Sequence, residues 1–120
     1  MIVGIGTDLI EIRRIKKACE KEAFLIRCFT SREIDMFGQN MTKAAGNFAV
    51  KEAVAKVFGT GFREFSPKDI EVLRDPLGKP YVNLYGPAQA LAERLGIERI
   101  LVSISNTQMY AQAFAVGESP

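Results

Sequence analysis

Ile2-Val3-Gly4-Ile5-Gly6-Thr7-Asp8-Leu9-Ile10 is a run of apolar, mostly β-branched residues with a single carboxylate near its end. Such residues suit a pleated surface, so the run predicts a central, buried strand. No basic region precedes it and it passes straight into Thr7-Asp8, which argues against a signal peptide. Two glycines sit where a strand would prefer side chains. Gly4-Ile5-Gly6 resembles half of a dinucleotide fingerprint, but position 9 is Leu where a third glycine belongs. A Walker-type loop is absent as well, so the strand is not a standard nucleotide cradle. Asp8 is the anomaly. A carboxylate withdrawn from water is costly unless paired or bound to a metal. A helix-capping or salt-bridging Asp8 stands beside the functional reading.

Working outward, residues 11 to about 28 follow a helical pattern, with Ile12, Ile15, Cys19, Phe24, Leu25 and Cys28 on the apolar side. Thr30-Ser31-Arg32-Glu33 forms a capping box ahead of a short helix, Ser31 to Phe37. Gly38-Gln39-Asn40 breaks it. A third, longer helix is expected from about Thr42 to Phe58, stopped by Gly59. Ile70 to Leu73 and Pro80 to Leu84 read as a hairpin closed by Asp75-Pro76-Leu77-Gly78-Lys79. Gly86-Pro87 opens a helix that Gly96 closes. Ile100 to Ser105 and Tyr110 to Val116 alternate as strands around an Asn106–Met109 turn, leaving Gly117 to Pro120 as a tail. Strands and helices without strict alternation predict an α+β fold. The 120 residues fit one domain over the whole chain.

Composition narrows the chemistry. The chain has no histidine, which removes Ser-His-Asp and Cys-His catalysis and every His-based zinc site. Proton transfer is left to carboxylates, lysines, water or a metal. The two cysteines have no metal-type spacing and read as free thiols in a reducing cytoplasm. No apolar run is long enough to cross a membrane. Between Glu11 and Arg32, seven basic residues face three acidic ones, a local charge of +4 in a chain of net +2. That face suits an acidic partner, although a solvated helix surface has the same composition. Nucleic acid is the weaker candidate, because aromatics are not interleaved with the basic residues.

Along the second long helix, Val50, Val54, Val57 and Phe58 form the apolar arc, and Glu52 and Lys56 share a face at i, i+4. Ala45 and Ala49 on that stripe are expected to leave room for a ligand. An ordinary surface pair, contributing about 0.3–0.5 kcal/mol, has the same pattern. Gly59-Thr60-Gly61 offers either a backbone approach to phosphate or a helix stop. Ser103, Ser105, Asn106 and Thr107 offer either a polar rim or turn chemistry.

Taken in order, Val3-Gly4-Ile5-Gly6-Thr7-Asp8, Asn47-Phe48-Ala49-Val50-Lys51-Glu52-Ala53-Val54-Ala55-Lys56, Gly59-Thr60-Gly61 and Ser103-Ile104-Ser105-Asn106-Thr107 resemble the holo-acyl-carrier-protein synthases. The resemblance spans nearly the whole chain. It implies the 4′-phosphopantetheinyl transferase fold, an antiparallel sheet packed on a long helix, in a homotrimer with active sites between subunits. It also implies transfer of 4′-phosphopantetheine from coenzyme A to a serine of apo acyl carrier protein, leaving adenosine 3′,5′-bisphosphate. On this basis Asp8 and Glu52 correspond to magnesium ligands, with Glu52 or a water on the metal as base. Lys56 corresponds to the lysine at the leaving phosphate. Lys51, Gly59, Thr60, Gly61, Gly86, Pro87, Asn106 and Thr107 correspond to coenzyme A contacts. Arg14, Phe24 and Arg27 correspond to positions that dock the acidic carrier. Two residues depart from the pattern: Asn47 stands where the family often has arginine, and Asn106 where it has histidine. The expectation is a weaker or redistributed grip on coenzyme A. A competing reading is a non-catalytic module that holds an acidic protein without magnesium.

Overall fold

The computed structural model describes all 120 residues. The elements run β1 (Ile2–Glu11), α1 (Ile12–Ala18), α2 (Glu22–Cys28), α3 (Ser31–Phe37), α4 (Met41–Phe58), β2 (Ile70–Arg74), β3 (Pro80–Leu84), α5 (Gly86–Arg94), β4 (Arg99–Asn106) and β5 (Tyr110–Glu118). Two 3-10 turns, Gly61–Arg63 and Pro67–Asp69, bridge α4 to β2. The fold is α+β, with two antiparallel sheets, β1-β5-β4 and β2-β3, around α4.

Local signals set the helix ends. Thr30 Oγ1 accepts from Glu33 N at 3.2 Å while Glu33 Oε1 accepts from Thr30 N at 3.0 Å, the reciprocal box that starts α3. Asn40 caps α4 by accepting from Lys43 N at 3.1 Å. Gly59, at φ +80°, ends it in the left-handed conformation that glycine adopts at least cost.

Several expectations are corrected. The helix expected over residues 11 to 28 is two helices separated at Cys19-Glu20-Lys21, and Glu11 belongs to β1. The tail is shorter, because β5 continues to Glu118. β1 is an edge strand and not a central one; β5 lies between β1 and β4. Most apolar side chains of β1 do not enter a core: Ile5 is 59% and Leu9 64% exposed, and Ile10 is the one that packs against it. The inward face instead carries Gly4, Gly6, Asp8 and Ile10.

α4 explains this inversion. Twelve of its 18 residues are buried, so it packs on nearly every side. Its neighbours must be small where backbone meets backbone. A Cβ on Gly6 would lie 1.9 Å from Ala53 O, and one on Gly4 2.7 Å from Val57 O. β5 offers α4 only Ala111, Ala113, Ala115 and Gly117, all buried. The glycines of the opening run therefore serve helix–strand packing. Ala45 and Ala49 are also fully buried against neighbours and leave no room for a ligand.

Candidate active site

Close packing of Gly6 on Ala53 brings the next inward residue, Asp8, beside the Glu52–Lys56 face of α4. Lys56 Nζ donates to Thr7 O at 2.8 Å and stands 3.7 Å from Asp8 Oδ1. Asp8 is 20% exposed, whereas Lys56 is 56% exposed and free to reach a ligand. Desolvation raises the Asp8 pKa, offset in part by the Lys56 charge. The Glu52 pKa is raised too, first by desolvation and then by the negative charge of Asp8, against the attraction of Lys56. These three residues form one cluster: two carboxylates that repel one another and one ammonium at the rim. No third acidic, His or Cys side chain joins them. Two hard oxygen donors suit magnesium, which keeps several waters and takes its remaining ligands from phosphate.

Gly59-Thr60-Gly61 follows Lys56 directly. Gly59 and Gly61 have φ of +80° and +63°, with open space around each Cα. Gly86, at φ +50°, and Pro87 begin α5, again with open space beside the glycine. The structure does not bring the remaining candidates to Asp8. Asn106 ends β4, which is separated from β1 by β5, a lateral distance of about 9–10 Å. Thr107 Oγ1 accepts from Met109 N at 3.3 Å and Tyr110 N at 3.1 Å, so it caps the β4–β5 turn.

Lys51 is corrected outright as a coenzyme A contact. It is fully buried, its ammonium donating to Glu33 Oε1 at 2.8 Å, to Pro67 O at 3.0 Å and to Ile70 O. Three acceptors satisfy its three N–H donors. Asn47, one turn earlier, is buried as well, donating to Glu33 Oε2 at 3.0 Å and to Val72 O at 2.9 Å. Glu71 gathers Thr30, Tyr85, Asn83 and Arg32 in the same layer. Sequence patterning missed this network, because Glu33 has a sufficient local role as a cap. The one signal was Asn47 and Lys51, two polar residues one turn apart among the small and apolar residues of α4.

On α1 and α2, Arg14 and Arg27 are exposed. Phe24 is half-buried, its ring 5.9 Å from that of Phe48, and the Arg27 guanidinium lies 5.8 Å from its centroid. Arg14, Lys16, Lys17, Lys21 and Arg27 have no ion-pair partner, so this face keeps its positive field.

A sequence model of the 4′-phosphopantetheinyl transferase superfamily matches residues 4–115. Holo-[acyl-carrier-protein] synthase of Lachnoclostridium phytofermentans is 58% identical over 118 residues, covering 98% of this chain and 97% of that one. The Helicobacter pylori holo-[acyl-carrier-protein] synthase, solved in complex with coenzyme A, superposes with a TM-score of 0.85 at 31% identity, covering 95% of this chain and 99% of that one. The Bacillus anthracis enzyme, solved in complex with CoA (3′,5′-ADP), gives 0.83 at 36% identity, covering 100% and 99%. The chain therefore belongs to the holo-[acyl-carrier-protein] synthases of the 4′-phosphopantetheinyl transferase superfamily.

Proposed function

We propose that this chain transfers 4′-phosphopantetheine from coenzyme A to a serine of apo acyl carrier protein, with magnesium held by Asp8 and Glu52. The convergence of Asp8, Glu52 and Lys56 across the β1–α4 contact carries this reading. When bound, magnesium would neutralise the pyrophosphate oxygens of the donor. Glu52, its pKa raised by desolvation and by the Asp8 charge, accepts the proton of the serine hydroxyl. The serine oxygen bonds to the β-phosphorus as the bridge to the 5′-phosphate breaks. Lys56 takes up the charge that develops on the departing phosphate, and the leaving group is adenosine 3′,5′-bisphosphate. Gly59, Thr60, Gly61, Gly86 and Pro87 line the adenosine end, where backbone can approach closely.

The assembly is a homotrimer. Supporting this is the outer face of the β1-β5-β4 sheet, where Ile5, Leu9, Leu101, Tyr110 and Phe114 are exposed at 39–64%. The central strand β5 turns alanines inward and large side chains outward, the reverse of what a free-standing subunit needs. An active site between copies also accounts for the separation of Asn106 and Thr107 from Asp8 within one chain. None of five surface concavities of about 400–490 Å³ is lined by Asp8, Glu52 or Lys56. An acidic carrier docks on Arg14, Phe24 and Arg27, and the free thiols fit a reducing cytoplasm.

The test is direct. The protein is incubated with coenzyme A, magnesium and apo carrier, and the carrier is weighed by mass spectrometry. A gain of one phosphopantetheine is expected. No gain across several carriers would favour the non-catalytic binding module.

A further inference from the structure

Sixteen lysine and arginine side chains are present; Lys51 is buried, Arg74 is half-buried, and the other fourteen are exposed. Lys51 has Glu33 as its counter-charge. Arg74 forms no ion pair, and its one hydrogen bond runs from Nη1 to Asn47 Oδ1 at 2.8 Å. A neutral amide oxygen orients a guanidinium without compensating its charge. Desolvation accordingly pulls the Arg74 pKa down, and the charge of Glu33, already engaged by Lys51 and Asn47, offsets this only in part.

The orientation is tightly held. Asn47 uses its amide nitrogen on Glu33 Oε2 and Val72 O, which fixes its oxygen toward Arg74. With Nη1 engaged there, Nε and Nη2 have no protein acceptor. Nη2 lies where α4 meets β4: a Cβ on Gly46 would be 3.8 Å from it and 3.2 Å from Ile104 Cγ2. Asn106 is two residues beyond Ile104, on the same side of β4 by strand alternation. Arg32, Asp35 and Arg74 help line an open concavity of about 400 Å³. An uncompensated, preoriented guanidinium at such an opening is suited to phosphate oxygens.

We infer that Arg74, held by Asn47 where α4 meets β4, anchors a phosphate of coenzyme A on the half of the active site opposite Asp8. The inference rests on the transferase reading and on the site between subunits, since β4 and β1 occupy opposite edges of one sheet. Coenzyme A has two sources of this chemistry, its 3′-phosphate and its pyrophosphate.

Titration calorimetry with magnesium present compares the wild type, Arg74→Gln and Arg74→Lys, using coenzyme A and 3′-dephospho-coenzyme A. Arg74→Gln should weaken coenzyme A by about tenfold or more. Arg74→Lys keeps the charge but loses the planar fork, and should weaken it less. Loss seen with coenzyme A but not with the dephospho form assigns the 3′-phosphate; equal loss with both assigns the pyrophosphate. Wild-type affinity in both variants overturns the assignment. Circular dichroism checks folding, and if Arg74→Gln does not fold, Arg74→Lys decides by the same criterion. A wild type that binds no coenzyme A would sink the transferase reading itself.

Discussion

Gly6 lies against the backbone of Ala53 so closely that a methyl group on it would come within 1.9 Å of the Ala53 carbonyl oxygen. This contact sets the distance between β1 and α4, and so the distance between Asp8 and the Glu52–Lys56 face. Gly6→Ala should push the strand away from the helix. We expect a loss of about 2 kcal/mol or more in urea unfolding, an overpacking cost. Transferase activity should fall further than stability accounts for, because the carboxylates separate. Wild-type stability in this variant would remove the contact as the organiser of the site.

Asp8→Ala and Glu52→Ala are each expected to abolish turnover while circular dichroism stays native. Retained activity in either would sink the metal assignment.

The same carboxylates predict a pH dependence. Both pKa values are raised in the folded protein, so the folded state binds these protons more tightly than the unfolded chain. In metal-free protein, stability should fall as pH rises through the window between each unfolded value and its raised folded one. Glu52→Gln should therefore raise the metal-free Tm at pH 7. Magnesium should raise the wild-type Tm at pH 7 and do so progressively less as pH drops through that window, but should not act on Glu52→Gln. Thermal scans at several pH values check each point.

Lys51 and Glu33 are both fully buried and 2.8 Å apart. Removing one partner strands the other charge, so Lys51→Met should cost about 3–5 kcal/mol. The double variant Lys51→Met with Glu33→Leu should cost less than the two single changes together. Additive losses in urea titrations would contradict the pairing.

The outer face of the sheet predicts the assembly state. Leu9→Glu combined with Phe114→Glu should shift sedimentation from trimer to monomer and remove activity, while leaving the subunit folded. A wild type that sediments as a monomer would refute the trimer.

Arg14→Glu should raise KM for the acidic carrier about five- to tenfold, leave KM for coenzyme A nearly unchanged, and flatten the dependence on salt. The opposite order of effects would take Arg14 off the docking face.

What could be read from the sequence was local. Thr30 and Glu33 are three residues apart and close a capping box, and Gly59 ends α4, because those hydrogen bonds span one helical turn. The i, i+4 spacing of Glu52 and Lys56 survives folding for the same reason. The family motifs, Asp8 among them, were legible by resemblance.

What failed depended on partners far along the chain. The apolar opening run pointed to a central strand, but whether Ile5 and Leu9 face the core or the outer side of the sheet depends on β5, more than a hundred residues away. Lys51 and Lys56 are five residues apart on one helix. Glu33 and the carbonyls of Pro67 and Ile70 enclose the first, while the second stands open beside Asp8. Sequence periodicity can assign residues to faces of a helix, but it carries no information on what covers each face. Asp8 and Glu52 meet because Gly6 allows β1 and α4 to touch. Only the packed structure could show that Arg74 lies against Asn47, since 27 residues separate them and one hydrogen bond joins them.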